Sequence, residues 1–173
     1  MSMDAKYARL PDPWYPLTQW GLTSKFISGW ASGITTATWA EGANDALYVP
    51  VVFPCDATLY ALYVLGGNAT GNYDLGLYDH EMRLIASKGT TALAAGTLTL
   101  TLPEFRVIAG RPYWCALALS SGSGSVWRVA TGGAAHILGT QIATEASAVP
   151  LPSVMTPAKP ASTLFPIFAF GVR

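Results

Sequence analysis

The sequence predicts an all-β protein: an antiparallel, jelly-roll-like β-sandwich with an extended N-terminal arm. Short runs rich in Tyr, Val, Thr and Leu follow one another from about residue 47 to residue 130, separated by turn residues. Strands and their connections have this composition. No helical periodicity lies between the runs, and strand-length runs at close spacing are typical of sandwiches and barrels.

The predicted arm covers residues 1–45. Prolines in its run PDPWYP favour extended backbone over helix. Its tryptophans need a surface to pack on, because each ring buries about 150–250 Å². That surface is either the chain's own sandwich or a neighbouring subunit, and aromatic residues dominate interface hot spots. The candidate interface anchors are Trp14, Tyr15, Trp20, Phe26, Trp30 and Trp39.

The predicted sandwich covers residues 46–173. Its strand-like runs are LYVPVVF, TLYALYVL, YDLGLYD, RLIAS, TLTLTL, PYWCALALS and VWRVA. In TLTLTL, Leu98, Leu100 and Leu102 alternate strictly with threonine. This alternation is the period of a half-buried antiparallel strand, so we expect the leucines on one face and the threonines on the other.

A Pro/Ala-rich stretch at about 131–162 interrupts the strand pattern. Loops of this length are uncommon inside a compact domain, so we expect it to lie along the sandwich or to reach a neighbour. The last run, TLFPIFAFGV, reads as a closing strand. Its Pro166 predicts an edge position or a bulge, because proline cannot donate to a strand ladder.

Composition excludes several classes of function. The 173 residues carry ten basic and ten acidic side chains, and charged residues make up only 12%. A neutral chain lacks the basic field of nonspecific nucleic-acid binding. We therefore expect no nucleic acid as a partner. The apolar stretches are too short to span a bilayer, so we expect no membrane as a partner either. The start, MSMDAKYARLPDP, has no apolar signal-peptide core, so we expect the chain to be made and used without crossing a membrane by the standard secretory route.

Motifs for catalysis or cofactor binding are lacking. The run SSGSGS is not a nucleophile elbow and reads as a flexible turn. We therefore expect no enzyme activity, no catalytic residues, no cofactor and no metal site. The densest polar group is Asp79, His80 and Glu81, which we interpret as an exposed hairpin because consecutive strand residues point to opposite faces. A small hydrolase that uses Asp79, His80 or Glu81 is the weaker alternative.

Two cysteines, Cys55 and Cys115, are too few for a disulfide framework. Each lies in an apolar run, where free cysteine behaves as a small buried hydrophobe. We expect both to be buried, and a single bridge between them stays open as the alternative.

Carbohydrate binding is a second class of function that the sequence allows. The chain has six Trp and eight Tyr, and sandwich modules that bind sugars stack them on exposed aromatic rings. Trp127, just after the SSGSGS loop, is the candidate glycan contact.

The stretch GNYDLGLYD through IAGRPYWCALALSSGS carries a resemblance. It resembles jelly-roll or β-sandwich domains of tailed-bacteriophage virion structural proteins, both decoration and tail-associated. The shared features are the strand around Tyr73 and Tyr78 and the entry Gly110–Trp114 into an Ala/Leu strand. Where that pattern often has a glycine at the corner, this chain has His80-Glu81-Met82.

The resemblance implies a non-enzymatic virion structural protein, assembled in the host cytoplasm and placed on the capsid or tail. We expect a homo-oligomer, with a trimer suggested by the resemblance, and contacts to other capsid or tail components. An apolar chain without net charge fits this setting, because neighbouring subunits can cover its spare apolar surface. The alternative is a glycan- or host-receptor-binding module of a tail or fibre.

Overall fold

The computed structural model describes residues 15–16, 34–39, 42–53, 55–129, 143–146, 148–156 and 165–172. These residues form strands and no helix. The strands are β1 (Tyr15–Pro16), β2 (Ile34–Thr38), β3 (Asp45–Val52), β4 (Ala57–Gly66), β5 (Asn72–Tyr78), β6 (Leu84–Ser87), β7 (Thr91–Ala92), β8 (Gly96–Val107), β9 (Pro112–Leu119), β10 (Ser125–Val129), β11 (Ala143–Glu145), β12 (Phe165–Pro166) and β13 (Phe168–Val172).

Two antiparallel sheets pack against each other, so the predicted β-sandwich is confirmed. Sheet A has β4 at its centre, with β8 along one side and β13 along the other. β1 pairs with β13, while β10 meets β4 at Gly66 and also pairs with β2 and β12. Sheet B has the order β11-β3-β9-β5-β6, and β7 pairs with the start of β5. No described helix is long and apolar enough to cross a membrane.

The main core lies between the sheets and follows from the two-residue period of the strands. Leu98, Leu100 and Leu102 of β8 are 3–4% exposed, whereas Thr97 and Thr101 are exposed on the opposite face. The alternation predicted from TLTLTL is therefore confirmed. Strands β3, β4, β5, β9, β10 and β13 supply most of the other core side chains in the same way. All seven strand-like runs between residues 47 and 130 coincide with described strands.

The boundary between arm and sandwich differs from the prediction. Residues 34–38, which we assigned to the arm, form β2 and pair with β10 along its whole length. Tyr15 and Pro16 form β1 on the other flank of sheet A. The segment is thus fixed to the sandwich at two places, because backbone pairing satisfies its N–H and C=O groups there. The remaining residues of 1–33 lie outside the described part of the chain.

A third layer covers the outer face of sheet B. The strap, defined as residues 143–146 and 148–156, starts with β11 on β3 and then crosses the sheet. Its Ala148, Leu151 and Met155 are buried in a second apolar cluster with small residues of β3 and β9. The described part of the Pro/Ala-rich stretch thus lies along the sandwich, one of the two expected placements. Residues 131–142, 147 and 157–162 of that stretch are not among the described residues.

Candidate interaction surface

Of the six predicted interface anchors, the structure describes Tyr15 and Trp39. Trp14, Trp20, Phe26 and Trp30 lie outside the described residues. Tyr15 lies in β1, where its backbone pairs with Phe170 of β13.

Trp39 is placed in the chain's own core, and this corrects its assignment as an interface anchor. It is 2% exposed and belongs to the main apolar cluster. Pairing of β2 with β10 brings it there, and its backbone N–H donates to the Gly124 carbonyl oxygen at 2.7 Å. Its indole Nε1 has no hydrogen-bond partner in the described structure. A ring that its own sandwich covers cannot also form the centre of a subunit contact.

Trp127 lies on the outer face of sheet A. Its neighbour Val126 is fully buried and pairs with Gly66, so by strand alternation Trp127 points away from the core. The side chain is 37% exposed, which suits a residue that contacts a ligand or another subunit. Leu65 of β4, next to Gly66, is 36% exposed on the same face.

The outer face of sheet A is rich in aromatic and hydroxyl groups. We define the Tyr/Thr face as Tyr60, Tyr63, Leu65, Thr97, Thr99, Thr101 and Trp127, lying over Ala61, Ala169 and Gly171. Cross-strand pairing sets Tyr63 beside Thr99 and Leu65 beside Thr97. Its residues are uncharged, and the ion pair of Arg106 with Asp56, 2.9 Å between Nη2 and Oδ2, lies at the end of the sheet beyond them.

The position of Tyr60 on this face depends on a glycine, and Tyr60 in turn interacts with Tyr63. The ring of Tyr60 lies against Gly171, where a Cβ atom would fall 2.6 Å from two ring carbons. Gly171 thus leaves the space in which Tyr60 lies down on the sheet. Partial burial raises the pKa of Tyr63 above its usual value, and the charge and hydroxyl of Tyr60 raise it further. The phenol of Tyr63 therefore stays protonated at neutral pH, where it can donate a hydrogen bond.

The group Asp79, His80 and Glu81 stands on an exposed hairpin between β5 and β6, as we interpreted it from the sequence. Asp79 Oδ1 accepts hydrogen bonds from the backbone N–H groups of Glu81 at 2.8 Å and Arg83 at 2.9 Å. Glu81 forms an exposed ion pair with Arg83 at 3.3 Å. These contacts shape a turn.

A buried carboxylate attaches the strap to sheet B. Asp74 of β5 is fully buried, and its oxygens accept hydrogen bonds from Ser87 Oγ at 2.8 and 2.9 Å. Its Oδ2 also accepts the backbone N–H of Leu151 at 2.9 Å. A buried carboxylate is tolerated only with such donors around it, so Asp74 fixes the strap at its crossing point.

Two tyrosines and a glutamate hold the rest of the strap. Tyr48 donates to Glu145 Oε2 at 2.8 Å, and Tyr78 donates to the Pro152 carbonyl oxygen at 2.7 Å. The two rings meet edge to face with centroids 5.5 Å apart. Glu145 also accepts both the N–H and the hydroxyl of Thr156, which closes the strap on itself. Burial raises the pKa of both tyrosines well above the ordinary value of 10.0, and the charge of Glu145 adds to the rise.

One of the two cysteines is buried and the other is exposed. Cys115 is buried in the main core, as predicted, and burial raises the pKa of its thiol. Cys55 is exposed in the β3–β4 connection, so the prediction that it is buried was wrong. It follows the strand end at Val52, where the chain leaves the sheet. Both thiols are free.

Sequence reasoning did not find the Tyr/Thr face or the anchoring role of Asp74. A signal for the face was present, because Tyr63 and Leu65 alternate with the core residues Leu62 and Val64. No local signal marks Asp74, because its donors are Ser87 on the neighbouring strand and Leu151 of the strap. Within the described ranges, no group of three His, Cys, Asp or Glu could hold a metal ion.

Comparisons with protein-family models, with curated proteins and with solved structures found no match for this chain.

Proposed function

We propose that the chain is a non-enzymatic structural protein of a tailed-bacteriophage virion, a capsid decoration or tail-associated component that assembles as a homo-oligomer. The Tyr/Thr face of sheet A and the aromatic N-terminal segment make the subunit contacts. The sequence resemblance suggests the virion setting and a trimer.

The observation that carries the proposal is the uncharged, half-exposed Tyr/Thr face. Sheet B has its outer face covered by the strap, whereas Leu65 and Trp127 of sheet A remain more than a third exposed. Aromatic and apolar side chains without charge are the composition of interface centres. Two strands from the N-terminal part of the chain, β1 and β2, pair with strands of sheet A, the sheet that carries this face.

The first test is the solution mass of the full-length chain by size exclusion with light scattering. A discrete closed oligomer supports the proposal, and a clean monomer contradicts it. A double variant, Trp14→Ala with Trp20→Ala, should shift the mass toward monomer while the circular dichroism of the sandwich is unchanged. Unchanged assembly of this variant would exclude the N-terminal segment from the contact.

The virion setting needs a test of its own. Particles purified from a lysate of the encoding phage should contain the chain at a fixed ratio to the major capsid or tail protein, measured by quantitative mass spectrometry. Absence from washed particles contradicts the proposal even if the recombinant chain forms an oligomer.

The second candidate function is glycan or host-receptor binding, and the exposed Trp127 favours it. Trp127 shares a face with the phenol of Tyr63 and with threonine hydroxyls, so an aromatic platform and hydrogen-bond donors lie on one surface. A glycan array screened at millimolar sensitivity should then give hits that Trp127→Ala abolishes. The control variant Ile108→Ala removes a side chain of similar exposure, 40%, at the end of β8 and should bind normally.

A further inference from the structure

Strand β8 forms an edge of sheet A. It pairs with β4 from Ala57 to Gly66, and no described strand pairs with its other side. An edge strand presents a row of backbone N–H and C=O groups that can pair with another strand. β8 spans Gly96–Val107, so this edge is long.

The first half of β8 lacks the features that usually protect an edge. Residues 97–102 are TLTLTL, without charge, proline or glycine. Natural proteins block exposed edges with charged residues, prolines, bulges or short strands. Here the first proline is Pro103, and the register shift with β4 lies between Thr101 and Phe105, so the pairing is regular from Gly96 to Thr101. The unprotected half is therefore uniform and regular.

We propose that residues 97–102 of β8 pair antiparallel with the same residues of a second copy of this chain, across a two-fold axis perpendicular to sheet A. The two sheets A then form one continuous sheet. The inference deepens the proposed assembly function, since it names the edge and the symmetry of one subunit contact.

The side-chain pattern restricts the register of this pairing. Directly opposed residues of antiparallel strands lie on the same face, so the buried leucines must face leucines and the outer threonines must face threonines. Among the registers that satisfy this rule, the two that pair five residues of the segment are centred on Thr99 and on Leu100. Both registers place threonines side by side on the outer face, which is a favourable cross-strand combination. Neither register brings like charges together.

The second copy fits this edge because the segment is complementary to itself. Two strands that pair across a two-fold axis need the same alternation of inward and outward side chains. Two copies of β8 meet this requirement because their sequences are identical. Pro103 limits the contact on one side, because proline has no N–H for the new ladder. Gly96, with φ of +101°, begins the strand and limits it on the other side. The matched segment is thus bounded at both ends.

The test compares two lysine variants of the full-length chain by light scattering and analytical ultracentrifugation. Thr99→Lys puts an ammonium group on the solvent side of the edge, where in both registers it approaches its counterpart in the second copy. We expect self-association to weaken about tenfold or more, because edge lysines oppose strand pairing and like charges repel across it. The control Thr70→Lys adds the same charge to the exposed β4–β5 loop and should associate as the unmodified chain does.

Cross-linking provides a second readout that does not depend on affinity. In a Cys55→Ser background, Thr99→Cys alone tests the register centred on Thr99, and Thr99→Cys with Thr101→Cys tests the register centred on Leu100. A short bismaleimide should give a covalent dimer with at least one of them and none with Thr70→Cys. Failure of both to cross-link overturns the inference.

The outcomes separate this inference from the proposed function. Edge pairing predicts an even number of copies. An odd closed assembly that survives Thr99→Lys but dissociates on replacement of Trp14 and Trp20 overturns edge pairing and supports the proposed function. A monomeric full-length chain contradicts both.

Discussion

The two outer faces of the sandwich have the same kind of core beneath them but differ in what covers them. Sheet B carries small residues there, Ala46, Ala116 and Ala118 among them, and the strap fills the space above with Leu151 and Met155. Sheet A carries large aromatic and hydroxyl side chains that stay partly exposed. A sheet face with small residues accommodates a layer of the same chain, whereas bulky uncharged side chains leave a surface that another molecule can contact.

Polar groups show the same contrast. On sheet B, buried polar groups are satisfied by strap atoms, as Asp74 is by Leu151 and Tyr78 by Pro152. On sheet A, the threonines of β8 are half-buried or exposed and the phenols have partial access to water. The strap face therefore contributes to stability, and the Tyr/Thr face has side chains that can be changed with little loss of stability. Four predictions test this difference.

The largest expected effect is that of Asp74→Ala. The change leaves the buried Leu151 N–H and the partly buried Ser87 hydroxyl without this acceptor, so we expect the free energy of unfolding to fall by about 3 kcal/mol. Urea unfolding followed by fluorescence measures it. The exposed acid Glu81, changed to Ala, is the control and should alter stability by less than about 0.5 kcal/mol. A loss below about 1 kcal/mol for Asp74→Ala would show that the strap is not held there.

A matched pair of leucines compares the two faces directly. Leu151 of the strap is 6% exposed and Leu65 of the Tyr/Thr face is 36% exposed. Leu151→Ala should lower the free energy of unfolding by about 2–3 kcal/mol, because it opens a cavity over Gly76. Leu65→Ala should change the free energy of unfolding by less than about 0.5 kcal/mol in the same urea titration. Equal losses would contradict the proposed difference between the faces.

Gly171→Ala tests the support of Tyr60. A methyl group would lie 2.6 Å from the Tyr60 ring, so the ring must move away from the sheet. We expect a loss of about 1 kcal/mol in stability and a change in tyrosine near-ultraviolet circular dichroism. Ala169→Ser, on the same strand and face, is the control and should leave that spectrum unchanged. An unaltered spectrum in Gly171→Ala would place the ring elsewhere in solution.

The smallest expected effect is a change in pH dependence. Tyr48 and Tyr78 have folded-state pKa values raised above the ordinary 10.0, so their contribution is complete below pH 10 and stability falls as the pH rises beyond it. Tyr48→Phe removes one of the titrating groups and should make that fall shallower in urea midpoints measured from pH 8 to pH 11. A slope identical to that of the unmodified chain would mean that Tyr48 ionises equally in both states.

Much of the fold could be predicted because its signals are local. The strict alternation of TLTLTL assigned Leu98 and Leu100 to the core, and the polar run after Tyr78 was identified as a hairpin. Trp39 was assigned incorrectly, because the composition of the N-terminal segment does not reveal that residues 34–38 pair with β10. Long-range pairing of this kind depends on partners that are far away in sequence.

The sequence alone determined where the strands lie and which side of each strand faces inward, since both follow from a two-residue period within a few neighbouring residues. It did not determine what covers the opposite side. Asp74 lies in β5 and Asp79 directly follows this strand, yet one is fully buried and the other shapes an exposed turn. Only the tertiary structure decided this, because a carboxylate is buried where donors surround it, and one donor to Asp74, the Leu151 N–H of the strap, comes from 77 residues away.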